Sequence, residues 1–114
     1  MNNYECIVCI VNHGFSDLVS EASKRAGATG GTVLSAHGTG NKDITEFFGV
    51  TVTPEKDIVL ILVPKAIRDK VLTAVNEGAG MSTDGMGIAF SLPVADVVGI
   101  KEVGTTEIPP KEGK

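Results

Sequence analysis

Six consecutive apolar residues, Ile58-Val59-Leu60-Ile61-Leu62-Val63, constrain this chain more than any other feature. They are β-branched or aliphatic throughout and stop at Pro64, so they read as a strand over Lys56–Val63. Side chains alternate across a sheet, which puts Ile58, Leu60 and Leu62 on one face and Val59, Ile61 and Val63 on the other. A strand apolar on both faces is covered on both. In a chain of only 114 residues, the second cover is expected to be another subunit. An oligomer built on sheet faces follows.

The rest of the chain supplies the elements around that strand. Tyr4–Val11, rich in Ile and Val, predicts a first strand, and Asn12-His13-Gly14 a turn. Phe15, Leu18, Val19, Ala22 and Ala26 recur at helical spacing, with Ser16 the expected N-cap and Gly27 the expected terminator. Thr29–Ala36 predicts a second strand. His37 to Glu55 is a long connection holding Gly38, Gly40, Gly49 and Pro54. After the Lys56–Val63 strand, Pro64 opens a second helix whose inner face is Ile67, Val71, Ala74 and Val75. A glycine-rich loop over Gly78–Gly87 leads to a strand at Ile88–Leu92, and Pro93–Ile100 is expected to hold a short turn and a last short strand. The order is βαβ, long connection, βαβ: a mixed α/β (α+β) fold of the ferredoxin-like βαββαβ plan. One domain is expected over residues 1–103, with a polar tail over 104–114 that frays.

Composition excludes several functions. A net charge of −4 and pI near 5.0 argue against nucleic acid as a partner, as does 4% aromatic content. No run approaches the roughly 18 apolar residues a membrane span needs, and no basic leader opens the chain, so a cytoplasmic location without membrane insertion is expected. Cys6 and Cys9 have C-x-x-C spacing, but on a strand they point to opposite faces, so they are read as buried free thiols. His13 has no Cys or carboxylate at metal spacing; His37, beside Gly38, could ligate a metal or touch a phosphate but reads as a loop residue in contact with solvent, and no metal ligand set is assigned. Asp84 has neither nucleophile nor second acid beside it, so the chain is not read as an enzyme and no catalytic residue is assigned. Lys42-Asp43, Glu55-Lys56-Asp57 and Arg68-Asp69-Lys70 read as solvated charge. The glycines of Gly27–Gly40 allow tight turns or concave arrays of N–H groups that suit anions.

Four ordered segments resemble the PII family of signal-transduction proteins. Gly27-x-x-Gly30-Gly31-Thr32-Val33 is similar to its helix-to-strand passage. Gly38-Thr39-Gly40 and Thr45-Glu46-Phe47-Phe48-Gly49 are similar to its long T-loop. Ile58–Val63-Pro64 resembles its third strand, and Asp84-Gly85 through Val94 its B-loop and following strand. The resemblance implies a homotrimer with clefts between subunits that take a small effector, ATP or ADP in the family, and no required cofactor. It also implies a transporter or enzyme as partner, met by the T-loop through Asn41, Lys42, Phe47 and Phe48. The implied effector residues are Thr32, Gly38, Gly40, Val63, Asp84, Gly85, Gly87 and Lys101.

This chain departs from the family where charge matters. The B-loop lysine is replaced by Met86 or Ile88, and the arginine pair after the fourth strand becomes Gly99-Ile100-Lys101. Charge-assisted contacts contribute roughly 1.5–3 kcal/mol each, so weak nucleotide binding is expected. The modifiable loop tyrosine is replaced by Phe48, and the glutamine of magnesium and 2-oxoglutarate binding falls near Asn41 or Lys42. A partner-binding trimer with a vestigial nucleotide site, or a metal-linked trimer of the CutA type, are the alternatives.

Overall fold

The structure, a computed structural model, describes residues 3–39, 45–47, 50–52, 54–80 and 87–100. Strand β1 (Tyr4–Asn12) leads into helix α1 (Ser16–Arg25), and β2 (Thr32–His37) follows. A small hairpin, β3 (Thr45–Phe47) and β4 (Val50–Val52), interrupts the long connection. Strand β5 (Glu55–Pro64), a 3-10 turn at Lys65–Ile67, helix α2 (Arg68–Gly78) and β6 (Gly87–Pro93) complete the order. The main sheet is antiparallel with order β2-β5-β1-β6. This is the expected ferredoxin-like arrangement.

Each helix forms for local reasons that also bury one face. In α1, Asp17 in the first turn and Lys24 and Arg25 in the last oppose the helix dipole. Gly27, at φ +112, ends it: its N–H donates to Lys24 O and that of Ala28 to Ser23 O, a Schellman closure. Val19 and Ala22 of α1 and Val71 and Val75 of α2 are fully buried against Ile7, Cys9 and Val11 of β1 and Val59, Ile61 and Val63 of β5. Burying each Val or Ile contributes about 1.5–3 kcal/mol. The helices touch closely, since a Cβ on Gly78 would sit 2.7 Å from that of Ala22.

Among the described residues, none covers the opposite face of the sheet. Register places Leu34, Ile58, Ile10 and Ile88 in one cross-strand row, and Thr32, Leu60, Val8 and Phe90 in the next. Leu62, Cys6 and Leu92 form a third. Leu34, Ile88, Phe90 and Leu92 are exposed, at 45%, 57%, 39% and 48% of their surface. The two-sided apolar pattern of β5 therefore meets helices on one side and open surface on the other.

Several expectations are corrected. The N-cap of α1 is Phe15, with no side-chain cap bond; Ser16 is already helical, and Phe15 packs against the core instead. Leu18 is 43% exposed and not part of the buried face. β2 starts at Thr32, three residues later than read. Gly31 there lies so close to β5 that a Cβ would come 2.9 Å from Leu60 O. The connection after β2 carries a hairpin, because Thr45, Phe47, Val50 and Val52 favour strand. Residues 94–100 form no strand: Gly99 at φ +85 breaks the extension, and no described strand pairs with them. Cys9 is buried as read, but Cys6 is half-exposed on the open face.

Candidate functional site

Antiparallel pairing gathers the polar ends of three strands at one end of the sheet. There Ala36 lies opposite Lys56, Lys56 opposite Asn12, and Val11 opposite Gly87. β2 leaves this end at His37 and Gly38, and β5 enters it from Pro54 and Glu55. The Gly38 N–H donates to Pro54 O at 3.0 Å, closing the neck of the long connection. That donor is therefore already taken by the protein itself.

Gly87 is fixed by packing. Its φ is +154, and a Cβ there would meet Ile10 O at 2.2 Å and Val11 Cα at 3.1 Å. Thr32 is exposed on the free edge of β2. Val63 is fully buried in the core, so its side chain lines no cleft of this chain; its neighbour Leu62 faces the open side. Gly40, Asn41, Lys42, Phe48, Asp84, Gly85 and Lys101 lie outside the described residues. Phe47 belongs to β3, and its side chain is also outside them.

The expected residues split across the sheet. Gly38 and Thr32 belong to the β2 edge and Gly87 to the β6 edge. Three strand spacings of ~4.8 Å separate those edges by roughly 14 Å within one chain. A groove of about 440 Å³ between α1 and α2, lined by Arg25, Lys70, Thr73 and Glu77 among others, holds none of the expected residues.

Two buried carboxylates flank the core, and sequence reading missed both. Asp57 is 5% exposed; its Oδ2 accepts the Gly14 N–H at 3.0 Å and its Oδ1 the His13 Nδ1–H at 3.0 Å. The hydrogen bond to His13 and the Gly14 N–H hold the Asp57 carboxyl below its ordinary value, and Asp57 raises His13 above the ordinary 6.5. At the other end of the core, Glu5 is 6% exposed and accepts from Arg68 at 3.2 Å. Asp57 and Arg68 are thus structural, not solvated charge. The available signal was parity: Asp57 alternates in step with Val59, Ile61 and Val63, and Glu5 with Ile7, Cys9 and Val11. Burial pushes the Cys9 thiol up to about 11, with Cys6 adding to it.

The family model for nitrogen regulatory protein P-II matches residues 4–103. The chain belongs to the P-II family. The crystal structure of Arabidopsis thaliana PII bound to citrate superposes with a TM-score of 0.69 at 27% identity, over 87% of this chain and 84% of that one. A search of curated protein sequences gave no match. This is a P-II-family signal-transduction protein, and P-II proteins regulate and do not catalyse. Among the described residues, no helix is long and apolar enough to cross a membrane.

Proposed function

We propose that this P-II protein works as a homotrimer, closed through the open sheet face, whose inter-subunit clefts hold a small effector. The observation that carries the reading is the sheet geometry: one face is open and apolar, and, of the expected effector residues that are described, Thr32 and Gly38 stand at the edge opposite Gly87. Apolar patches of this kind mark association surfaces, and a cyclic assembly brings unlike edges together. Thr32, Gly38 and Gly40 of one subunit and Asp84, Gly85, Gly87 and Lys101 of the next would form the cleft. The effector is an adenine nucleotide held weakly. It biases the long connection, residues 38–54, toward one arrangement, which meets a transporter or enzyme through Asn41, Lys42, Phe47 and Phe48. An effector shifts such a loop only by binding its states unequally.

Two observations favour a second reading, a partner-binding trimer with a vestigial nucleotide site. The Gly38 N–H is used by Pro54, and Gly87 serves close packing of β6 on β1. Light scattering of the purified protein tests the assembly, and a mass of one chain at micromolar concentration refutes it. A thermal-shift panel of ATP, ADP, AMP, cyclic nucleotides and citrate tests the effector, since a ligand of the folded state raises Tm. A rise with an adenine nucleotide supports the first reading; no shift at millimolar concentration supports the second. Metal analysis of the same sample tests the metal-linked trimer.

A further inference from the structure

We infer that His13 and Asp57 form a proton-responsive clamp on the neck of the long connection, tightest when His13 carries its charge. The inference needs no nucleotide and no partner, and stands apart from the effector reading.

The clamp joins the turn after β1 to the strand that receives the long connection. Four bonds make the joint. Asp57 accepts from the His13 ring and from the Gly14 N–H, each at 3.0 Å. The His13 N–H donates to Glu55 O at 3.2 Å, and Lys56 Nζ donates to Asn12 Oδ1 at 2.8 Å. Next to them the Gly38 N–H meets Pro54 O at 3.0 Å, and His37 stands opposite Glu55. One block of backbone, Pro54 to Asp57, thus carries both the neck of the long connection and the fastening of the β1–α1 turn.

The chemistry of the pair sets its response. An ionised carboxylate only accepts, so Nδ1 must carry a proton in both forms of the ring. The hydrogen bond therefore survives neutralisation of His13; what is lost is its charge. The Asp57 side chain is 7% exposed and that of His13 64%, so the imidazole exchanges protons with solvent while its partner stays sheltered. The groups that raise His13 are Asp57 first and then Glu55, both from β5; Lys56 is occupied with Asn12, and Asp17 in the first turn of α1 is not among the groups that shift it.

The sign follows from the two directions. His13 is raised above 6.5, so its contribution is complete below that value and fades as pH rises through its folded-state value. Asp57 is lowered below 3.8, so its contribution is present above that value and fades only in stronger acid. The clamp is fully charged between these limits and loosens as pH climbs through the folded-state value of His13.

The test is an NMR pH titration of the full chain from pH 5 to 8.5, following the His13 ring and the exchange protection of the Gly14 and Gly38 amides. Wild-type His13 is expected to titrate above 6.5, and in Asp57→Asn to fall back toward it. Each unit of difference corresponds to about tenfold in the equilibrium between fastened and released turn. Protection factors at Gly14 and Gly38 should fall together as His13 loses its proton. His13→Gln, which keeps a donor without a titrating charge, should show protection independent of pH, and keeps the test valid if Asp57→Asn does not fold. Titration of His13 at an ordinary value in wild type, or protection at Gly14 and Gly38 unchanged across its titration, overturns the inference.

Discussion

Replacing Gly87 by alanine separates a glycine kept for packing from one kept for a ligand. The added methyl would stand 2.2 Å from Ile10 O, at least 0.8 Å inside the 3.0 Å limit that real Cβ atoms respect. The obstacle is backbone at the end of the β1–β6 ladder, where Ile10 pairs with Ile88 and Val11 with Gly87, so it has no rotamer to turn away. Relief requires β6 to lift from β1. Overpacking of this kind costs about 1–3 kcal/mol, and holding alanine at φ +154 costs roughly 1–3 kcal/mol more. The sum, about 2–6 kcal/mol, is a large part of the 5–15 kcal/mol typical of a folded domain. Melting followed by circular dichroism should show Tm lower by on the order of 10 °C. Wild type and variant must be compared at one protein concentration, because association makes Tm concentration-dependent. A Tm within about 2 °C of wild type would refute the packing argument and return Gly87 to a purely ligand-directed role.

Other expectations follow from the same geometry. Phe90→Asp places a charge on the open face, in its middle cross-strand row, and should convert the assembly to folded monomers, seen as a drop to one-chain mass with an unchanged far-ultraviolet spectrum; an intact oligomer counts against that face as the interface. Gly40→Pro should blunt the thermal-shift response to effector and leave the trimer intact; a normal response in the variant disproves coupling at that turn. In the native protein at pH 8, Cys9, buried and with its thiol raised to about 11, should resist Ellman's reagent. Cys6 should react slowly in the assembly and faster in the Phe90→Asp monomer; equal rates would place Cys6 outside the interface.

Element order was legible because it rests on periodicity, and Ile58–Val63 marked a strand apolar on both faces. Gly27 was legible as well, since a helix end needs a residue tolerant of positive φ. Edges and end effects were not. The start of β2 depends on how closely Gly31 approaches Leu60, a contact between residues far apart in sequence. Val63 could be placed in the core by parity with Ile61, whereas the resemblance alone set it in the cleft. The pairing of His13 with Asp57 spans 44 positions, so neither residue announces the other. Charge runs look alike whether solvated or buried; only the alternation that Asp57 shares with Val59 marks it as interior.

The hydrogen bond between Gly38 and Pro54 has a consequence for what this protein can tolerate. It fixes the two ends of the intervening segment against the body, so the body does not sense how much chain lies between them. Each doubling of a loop with fixed ends costs only about 0.6 kcal/mol. The segment can therefore be lengthened, shortened or exchanged while the sheet, its helices and its open face keep their shape. Under the proposed function, partner choice and subunit assembly are then free to change separately, and a transplanted segment from another family member should arrive on a body already folded to display it.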